Sequence, residues 1–374
     1  VGHGALPEVD GPISAAFTFC VKAPAAGTRR GFSHHRHGAS AGSRAISSRC
    51  SSGASAPFTV PITLRDSFAH SRNPPAVELT EKLGVETVAE VAHRMGITTI
   101  RKPSWIWLPM TLGANEISLL DHTYGFSVFA NAGLMAGMPV PPQKREPGFR
   151  ELDPVSILRV TDGRGRVVEE FLGPTTKRVI SPEVAYMVTS VLSDNAARTP
   201  AFGPVNALVA TRPAAAKTGT TNESWDCWTM GYNPQFAVGV WVGNANHTPM
   251  GSWYGAIAAA PIWNQIMERC YRSLPPVDFV QPPGVKWVEM DPETGAAPSK
   301  GKVKDLVMEG REPVSPNKVR RTFDICRASG KLATENCPAD QVEHKTFEVY
   351  PTANGDWVRS LYGAQPPTTT CDVH

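Results

Sequence analysis

Apolar positions recur at helical spacing in three stretches of the chain. In Thr87–Met95, Val88, Val91, Ala92 and Met95 share one face of a 3.6-residue period, and Gly96 can end the helix. Ser118–Asn131 opens on Ser118-x-x-Asp121, a capping pair, and carries Leu119, Thr123, Phe126 and Ala130 at similar intervals. Ser181-Pro182 combines an N-cap with a first-turn proline and predicts a helix to about Leu192. Elsewhere the period falls to two. Ile157–Val160 and Val167–Glu169, joined through Asp162-Gly163, read as a hairpin. A glycine-containing strand, Ala214–Thr221, precedes Asp226–Tyr232 and Phe236–Val242, which are joined at Asn233-Pro234. These three predict an antiparallel meander, and with the helices an α+β fold.

Composition divides the chain at two places. Residues 58–272 have the ordered texture just described, and 273–374 form a proline-rich, cysteine-bearing extension of short strands. Residues 1–57 differ from both. No acidic residue occurs from Gly11 to Arg65, while serine, histidine and arginine crowd together without helical or strand period. Three readings compete there: a basic arm for nucleic acid or lipid headgroups, a disordered tail, and a stretch read out of frame. The abrupt change near Pro57 favours the last. Hydrophobic residues are 41% and charged residues 19%, so most of the chain is expected to be globular. A net charge of +3 is too mild to argue for a nucleic-acid partner.

No apolar run reaches the ~20 residues of a spanning helix, and Val1 opens no signal-peptide pattern. The expectation is a fragment whose natural N-terminus, with any membrane anchor, is missing. Seven cysteines contain no C-x-x-C pair, which disfavours zinc and leaves no predicted metal. Cys326, Cys337 and Cys371 cluster in the extension and suit a disulfide in an oxidising compartment, or three unpaired small apolar side chains.

Candidate chemistry concentrates at Lys217-Thr218-Gly219-Thr220-Thr221, on the first strand of the meander. Alone this motif is weak, because a strand and turn produce it often. In context it has a physical logic. Gly219 leaves room for another backbone beside the strand edge. Thr218 and Thr220 share a face at period two and offer hydroxyls to a carboxylate. Lys217 brings positive charge and a proton route. Enzymes that carry K-T-G pair it with an S-x-N element and an S-x-x-K nucleophile. Two S-x-N candidates exist. Ser193-Asp194-Asn195 lies at the end of the Ser181 helix and close before Lys217, where it reads as a polar helix terminus. Ser71-Arg72-Asn73 lies far enough upstream to leave a helical subdomain between the two elements. Ser71 and Asn73 are therefore the functional choice, and Ser193 the decoy.

Ordered blocks extend this into a family resemblance. Ile62–Phe68 ahead of His70-Ser71-Arg72-Asn73-Pro74-Pro75-Ala76-Val77, then Met110–Glu116 with Phe129-Ala130-Asn131, resemble successive blocks of class A penicillin-binding proteins, bifunctional peptidoglycan glycosyltransferase/D,D-transpeptidases. Ala215–Asn222, Gly231-Tyr232, Gly239–Asn244, Thr248-Pro249-Met250 and Ala260–Trp263 continue the match in order. The tail, with Cys326, Ser329-Gly330-Lys331, Cys337-Pro338 and Cys371, resembles C-terminal extensions of some members.

The resemblance implies a penicillin-binding, serine β-lactamase-like transpeptidase fold without cofactor. It implies a D-Ala-D-Ala stem peptide or a β-lactam as ligand, and the extracytoplasmic face of a bacterial membrane as location. By position, Ser71 would relay a proton to the leaving group and Asn73 would bond the substrate amide and the lysine. Lys217 would support the relay, Thr218 and Thr220 would hold the terminal carboxylate, and the Thr220 N–H would form half of an oxyanion hole; Thr221 completes the substrate-binding set.

One departure is serious. The nucleophile should precede Ser71, yet the only lysine there is Lys22, and Phe19 stands three residues before it. Ser299-x-x-Lys302 and Ser315-x-x-Lys318 match by letters but follow Lys217 and read as solvated lysines. The first two sheet strands, the nucleophile helix and the glycosyltransferase domain are thus expected to be absent or garbled. The resulting expectation is a catalytically incomplete transpeptidase domain, with a non-catalytic peptidoglycan-binding or β-lactam-binding module as its alternative. A serine β-lactamase is argued against by the blocks outside the three motifs.

Overall fold

The computed structural model describes residues 15–22, 62–100, 107–221, 224–291, 295, 297–298, 303–313, 320–349 and 366–373. Two compact units divide the chain, one built mainly from 65–285 and one mainly from 286–374. In chain order the first contains β1 (Ala15–Lys22), α1 (Leu64–Ala69), α2 (Asn73–Leu83), α3 (Val85–Arg94), α4 (Leu119–Ala130), β2 (Leu134–Pro139), β3 (Leu152–Asp153), β4 (Arg159–Thr161), β5 (Val167–Glu170), β6 (Thr175–Arg178), α5 (Pro182–Ser193), α6 (Asn195–Phe202), β7 (Ala215–Thr220), β8 (Asp226–Asn233), β9 (Phe236–Gly243) and α7 (Gly255–Tyr271). The second follows with β10 (Val285–Met290), β11 (Val303–Met308), β12 (Arg320–Cys326) and β13 (Val342–Glu348).

The expected meander is present. β7, β8 and β9 are successive antiparallel neighbours, with Thr218 opposite Thr229 and Met230 opposite Gly239. Asn233 makes the tight β8–β9 link, its side-chain oxygen accepting from the amides of Gln235 and Phe236 at 3.0 Å each. Alternation then sorts two faces. Ala216, Val238, Val240 and Val242 pack with Trp263 and Met267 of α7. Ala215, Tyr232 and Ala237 join Ala130 of α4 and Leu192 of α5. Gly231 sets the distance to α7, because a Cβ there would lie 2.4 Å from the Trp263 ring and 2.7 Å from the Ala215 carbonyl.

Both predicted caps form. The Ser118 hydroxyl accepts from the Asp121 amide at 3.1 Å, and that of Ser181 from the Val184 amide at 3.3 Å. The buried Asp121 carboxylate is otherwise occupied, taking Arg150 at 2.6 Å and the Thr98 amide and hydroxyl at 2.9 and 2.8 Å. The hairpin forms as β4 and β5, with a register irregularity beyond Val160.

The N-terminal segment requires a correction. The reading of 1–57 as lacking strand period fails at Ala15–Lys22, which pairs antiparallel with β9 from Ala15↔Gly243 to Lys22↔Phe236. The four-stranded order is β1-β9-β8-β7. The octet Ala-Ala-Phe-Thr-Phe-Cys-Val-Lys contains β-formers whose signal is diluted by the Ser/His/Arg run beside it; a waiting edge on β9 selects them. Phe19 and Lys22 therefore lie on a strand. The rest of 1–57, and Ser299, Lys302, Ser315 and Lys318, lie outside the described residues. No helix among the described residues is long and apolar enough to cross a membrane.

The second unit is short-stranded, as its composition predicts. β10 pairs with β11, and β12 with β13.

Candidate functional site

β7 is the last strand in the sheet order, so one of its backbone edges has no partner within the sheet. Lys217 projects from this strand and donates to the Ser71 hydroxyl at 2.6 Å and to the Thr218 carbonyl at 2.8 Å. Burial around the ammonium pulls its pKa from 10.5 down to about 8, helped by the nearby positive charge of Arg198. A lysine so poised changes protonation near neutral pH and can both donate and accept a proton.

Ser71 is held by a turn that sequence propensity does not favour. The Ser71 amide bonds to the Phe68 carbonyl at 3.1 Å and the Arg72 amide to that of Ser67 at 2.9 Å. This is the Schellman closure of α1, and Ser71 takes the left-handed position with φ of 59°. Glycine ordinarily occupies that position. A serine there accepts local strain while presenting its hydroxyl to Lys217. Asn73 begins α2 and is exposed, and its side chain makes no hydrogen bond among the described residues.

The Ser193-Asp194-Asn195 triplet is occupied by local bonds. Ser193 donates back to the Thr189 carbonyl at 2.8 Å, and Asn195 to that of Pro204 at 2.9 Å. Asp194 caps α6 through the Ala197 amide at 2.9 Å and accepts from Arg65 of α1 at 3.3 Å. Arg65 also reaches the Ser190 carbonyl and hydroxyl, so Asp194 and Ser190 anchor α1, whose C-terminal turn carries Ser71.

The remaining motif residues divide. Thr218 is half-buried and Thr220 exposed, and both lie on the strand face opposite Lys217 by period two. The Thr220 hydroxyl accepts from the Gly255 amide at 2.9 Å, which leaves its own proton to donate. Thr221 closes the β7–β8 turn instead: its hydroxyl accepts from the Asp226 amide at 2.8 Å and its amide donates to the Asp226 carbonyl at 3.1 Å. A Cβ at Gly219 would meet that of Trp228 at an ordinary 3.4 Å, so crowding within the described fold does not demand glycine there.

Sequence reasoning missed two residues. Arg198, buried on α6, donates to the Leu192 carbonyl, and its charge faces Lys217. A lone arginine on a short helix carries no sequence signal. Gly255 opens α7 against the strand: a Cβ there would lie 2.6 Å from both the Gly219 and Trp228 carbonyl oxygens. Glycine at that helix start, directly before an alanine-rich run, was the available clue.

A serine–lysine pair across the junction of a helical subdomain and the edge of an antiparallel sheet, with threonine hydroxyls on the adjoining face, defines the penicillin-interactive class. The family model for the penicillin-binding protein transpeptidase domain matches residues 51–268, and the chain belongs to that family. Penicillin-binding protein 1A of Aquifex aeolicus is 32% identical over 236 residues, 62% of this chain and 29% of that protein. Penicillin-binding protein 2D of Bacillus subtilis is 30% identical over 289 residues, 74% of this chain and 38% of that protein. This chain thus spans about a third of the relatives it matches. Penicillin-binding protein 1A from Haemophilus influenzae has a similar fold, with a TM-score of 0.56 at 22% identity over 69% of this chain and 41% of that one.

Proposed function

We propose that this chain recognises the C-terminal carboxylate of a D-Ala-D-Ala stem peptide, and the equivalent carboxylate of a β-lactam, without forming an acyl-enzyme. The Lys217–Ser71 hydrogen bond beside the free edge of β7 carries this reading. An extended peptide lying along that edge would meet Lys217 on one side and the Thr218 and Thr220 hydroxyls on the other. Backbone bonds to the strand would align it, and the charge-assisted contacts would select a terminal carboxylate. Asn73, exposed at the start of α2 two residues after Ser71, would bond the peptide amide.

Acyl transfer needs an activated nucleophile. No S-x-x-K precedes Ser71 in this chain, and Ser71 itself is committed to Lys217. The family's cross-linking of stem peptides at the extracytoplasmic face of a bacterial membrane, beside a glycosyltransferase domain, is the setting in which this half-site belongs.

Two measurements on the purified chain test this. Incubation with a fluorescent penicillin followed by denaturation should leave no labelled band. Equilibrium titration with the same compound should show weak, reversible binding that is lost in K217M. A band that survives denaturation and maps to a serine of this chain overturns the non-covalent reading. Absence of any reversible binding by the folded protein overturns carboxylate recognition.

A further inference from the structure

The second unit contains a group of side chains that the carboxylate site does not use. Cys326, Cys337 and Cys371 come from three separate points of the chain, and their sulfur atoms all lie within 4.8 Å of one another. Cys326 ends β12 and Cys371 is buried near the C-terminus, while Cys337 is half-buried in the turn before β13. We propose that these three thiolates bind a zinc ion, as three of its four tetrahedral ligands.

Three features carry this assignment. The first is number. A disulfide consumes two sulfurs and strands a third thiol against it, whereas one zinc ion uses all three. Zinc–sulfur bonds of ~2.3 Å in a tetrahedron put the sulfurs roughly 3.8 Å apart. The observed grouping closes to that with small side-chain shifts.

The second feature is the backbone that holds the sulfurs. The Cys326 amide donates to the Lys331 carbonyl at 2.9 Å and the Gly330 amide to that of Cys326 at 2.8 Å, closing a tight turn. The Cys371 amide donates to the Leu332 carbonyl at 2.7 Å, and Lys331 pairs with Asp372 at 2.6 Å. The two outer cysteines are thereby tied to one another through Lys331 and Leu332. The Cys337 amide bonds to the Thr334 carbonyl at 3.0 Å, fixing the third.

The third is the donor set around sulfur. The Thr334 amide lies 3.4 Å from Cys337 Sγ and its hydroxyl 3.7 Å away. Groups that hydrogen-bond to a ligand sulfur act as the outer shell of a zinc site. The unit also needs a staple. Its described residues form two two-stranded sheets, and such sheets rarely hold together without a larger apolar face or a cross-link. Sequence spacing hid the site, because the three cysteines are far apart in the chain and form no C-x-x-C pair.

The test uses the full chain purified in reducing buffer and exposed to Zn²⁺ or Co²⁺ alone. One zinc per chain should remain after desalting, and Co²⁺ should give a sulfur-to-metal charge-transfer band in the near ultraviolet. C326S, C337S and C371S should each lose both signals, while C227S and C270S keep them. T334A, which removes only the hydroxyl donor, should fold normally and weaken zinc by roughly tenfold. Two results overturn the proposal: a wild-type protein that shows no such cobalt band, or one in which two of the three sulfurs remain joined as a disulfide after reduction.

Discussion

Lys217 Nζ donates to Ser71 Oγ across 2.6 Å, although 146 residues separate them in the chain. The lysine comes from the edge of the sheet and the serine from a strained turn between two helices. Each is costly where it stands: the lysine loses solvation, and the serine adopts a backbone angle that suits glycine. Function-bearing residues commonly sit in such positions, and the cost can be measured.

Removing the lysine charge should stabilise the fold while abolishing ligand binding. Its folded pKa of about 8 lies below the ordinary 10.5, so between those values the unfolded chain binds more protons. Wild-type stability therefore contains a component that rises with pH from about 8 to 10.5. K217M should show a higher Tm at pH 7 and lack that component. Denaturant melts of both proteins across this range decide it; a lower Tm for K217M would contradict the burial argument.

Glycine at position 71 separates strain from function. S71G relieves the left-handed serine and should raise stability by about 1 kcal/mol, while S71A keeps the strain and should not. Both variants remove the hydroxyl facing Lys217 and should weaken β-lactam binding alike. Urea unfolding paired with titration reads both effects.

Asp194 should matter for folding and Ser193 hardly at all. D194A loses the α6 cap and the Arg65 ion pair, a cost of about 1–2 kcal/mol. S193A should stay within ~0.5 kcal/mol of wild type. A loss of ligand binding in S193A with unchanged stability would instead make that triplet functional.

The half-buried His122 predicts an acid-sensitive fold. Burial lowers its pKa from 6.5 to about 4, beside the rings of Phe126 and Trp228. Below pH 6.5 the unfolded chain takes up a proton that the folded chain refuses until about pH 4. Stability should fall across that window, by up to about 3 kcal/mol from this group. H122L should flatten that part of the pH–stability curve, as read by chemical denaturation at each pH.

Adding one methyl at the start of α7 should disturb β7. G255A would force a Cβ against two carbonyl oxygens at 2.6 Å, and the helix must shift to relieve it. A cost of ~1–3 kcal/mol follows from such overpacking, with weakened ligand binding through the displaced Thr220 hydroxyl. Tm and titration of the same variant test both.

Local chemistry alone settled several elements. The Ser118 and Ser181 caps, the period-two meander and the approach of Ser71 to Lys217 were legible because each rests on neighbours in sequence or on a gap wide enough for a subdomain. Tertiary structure decided the rest. β1 exists because β9 offers an edge, a partner more than two hundred residues away that no local pattern encodes. The commitment of Thr221 to a turn, the charge of Arg198 near the lysine and the fit of Gly255 under β7 arise from packing between distant segments. The convergence of three scattered cysteines has the same origin. Periodicity reports which face of an element is buried; which residues meet across that face is set only when the elements pack.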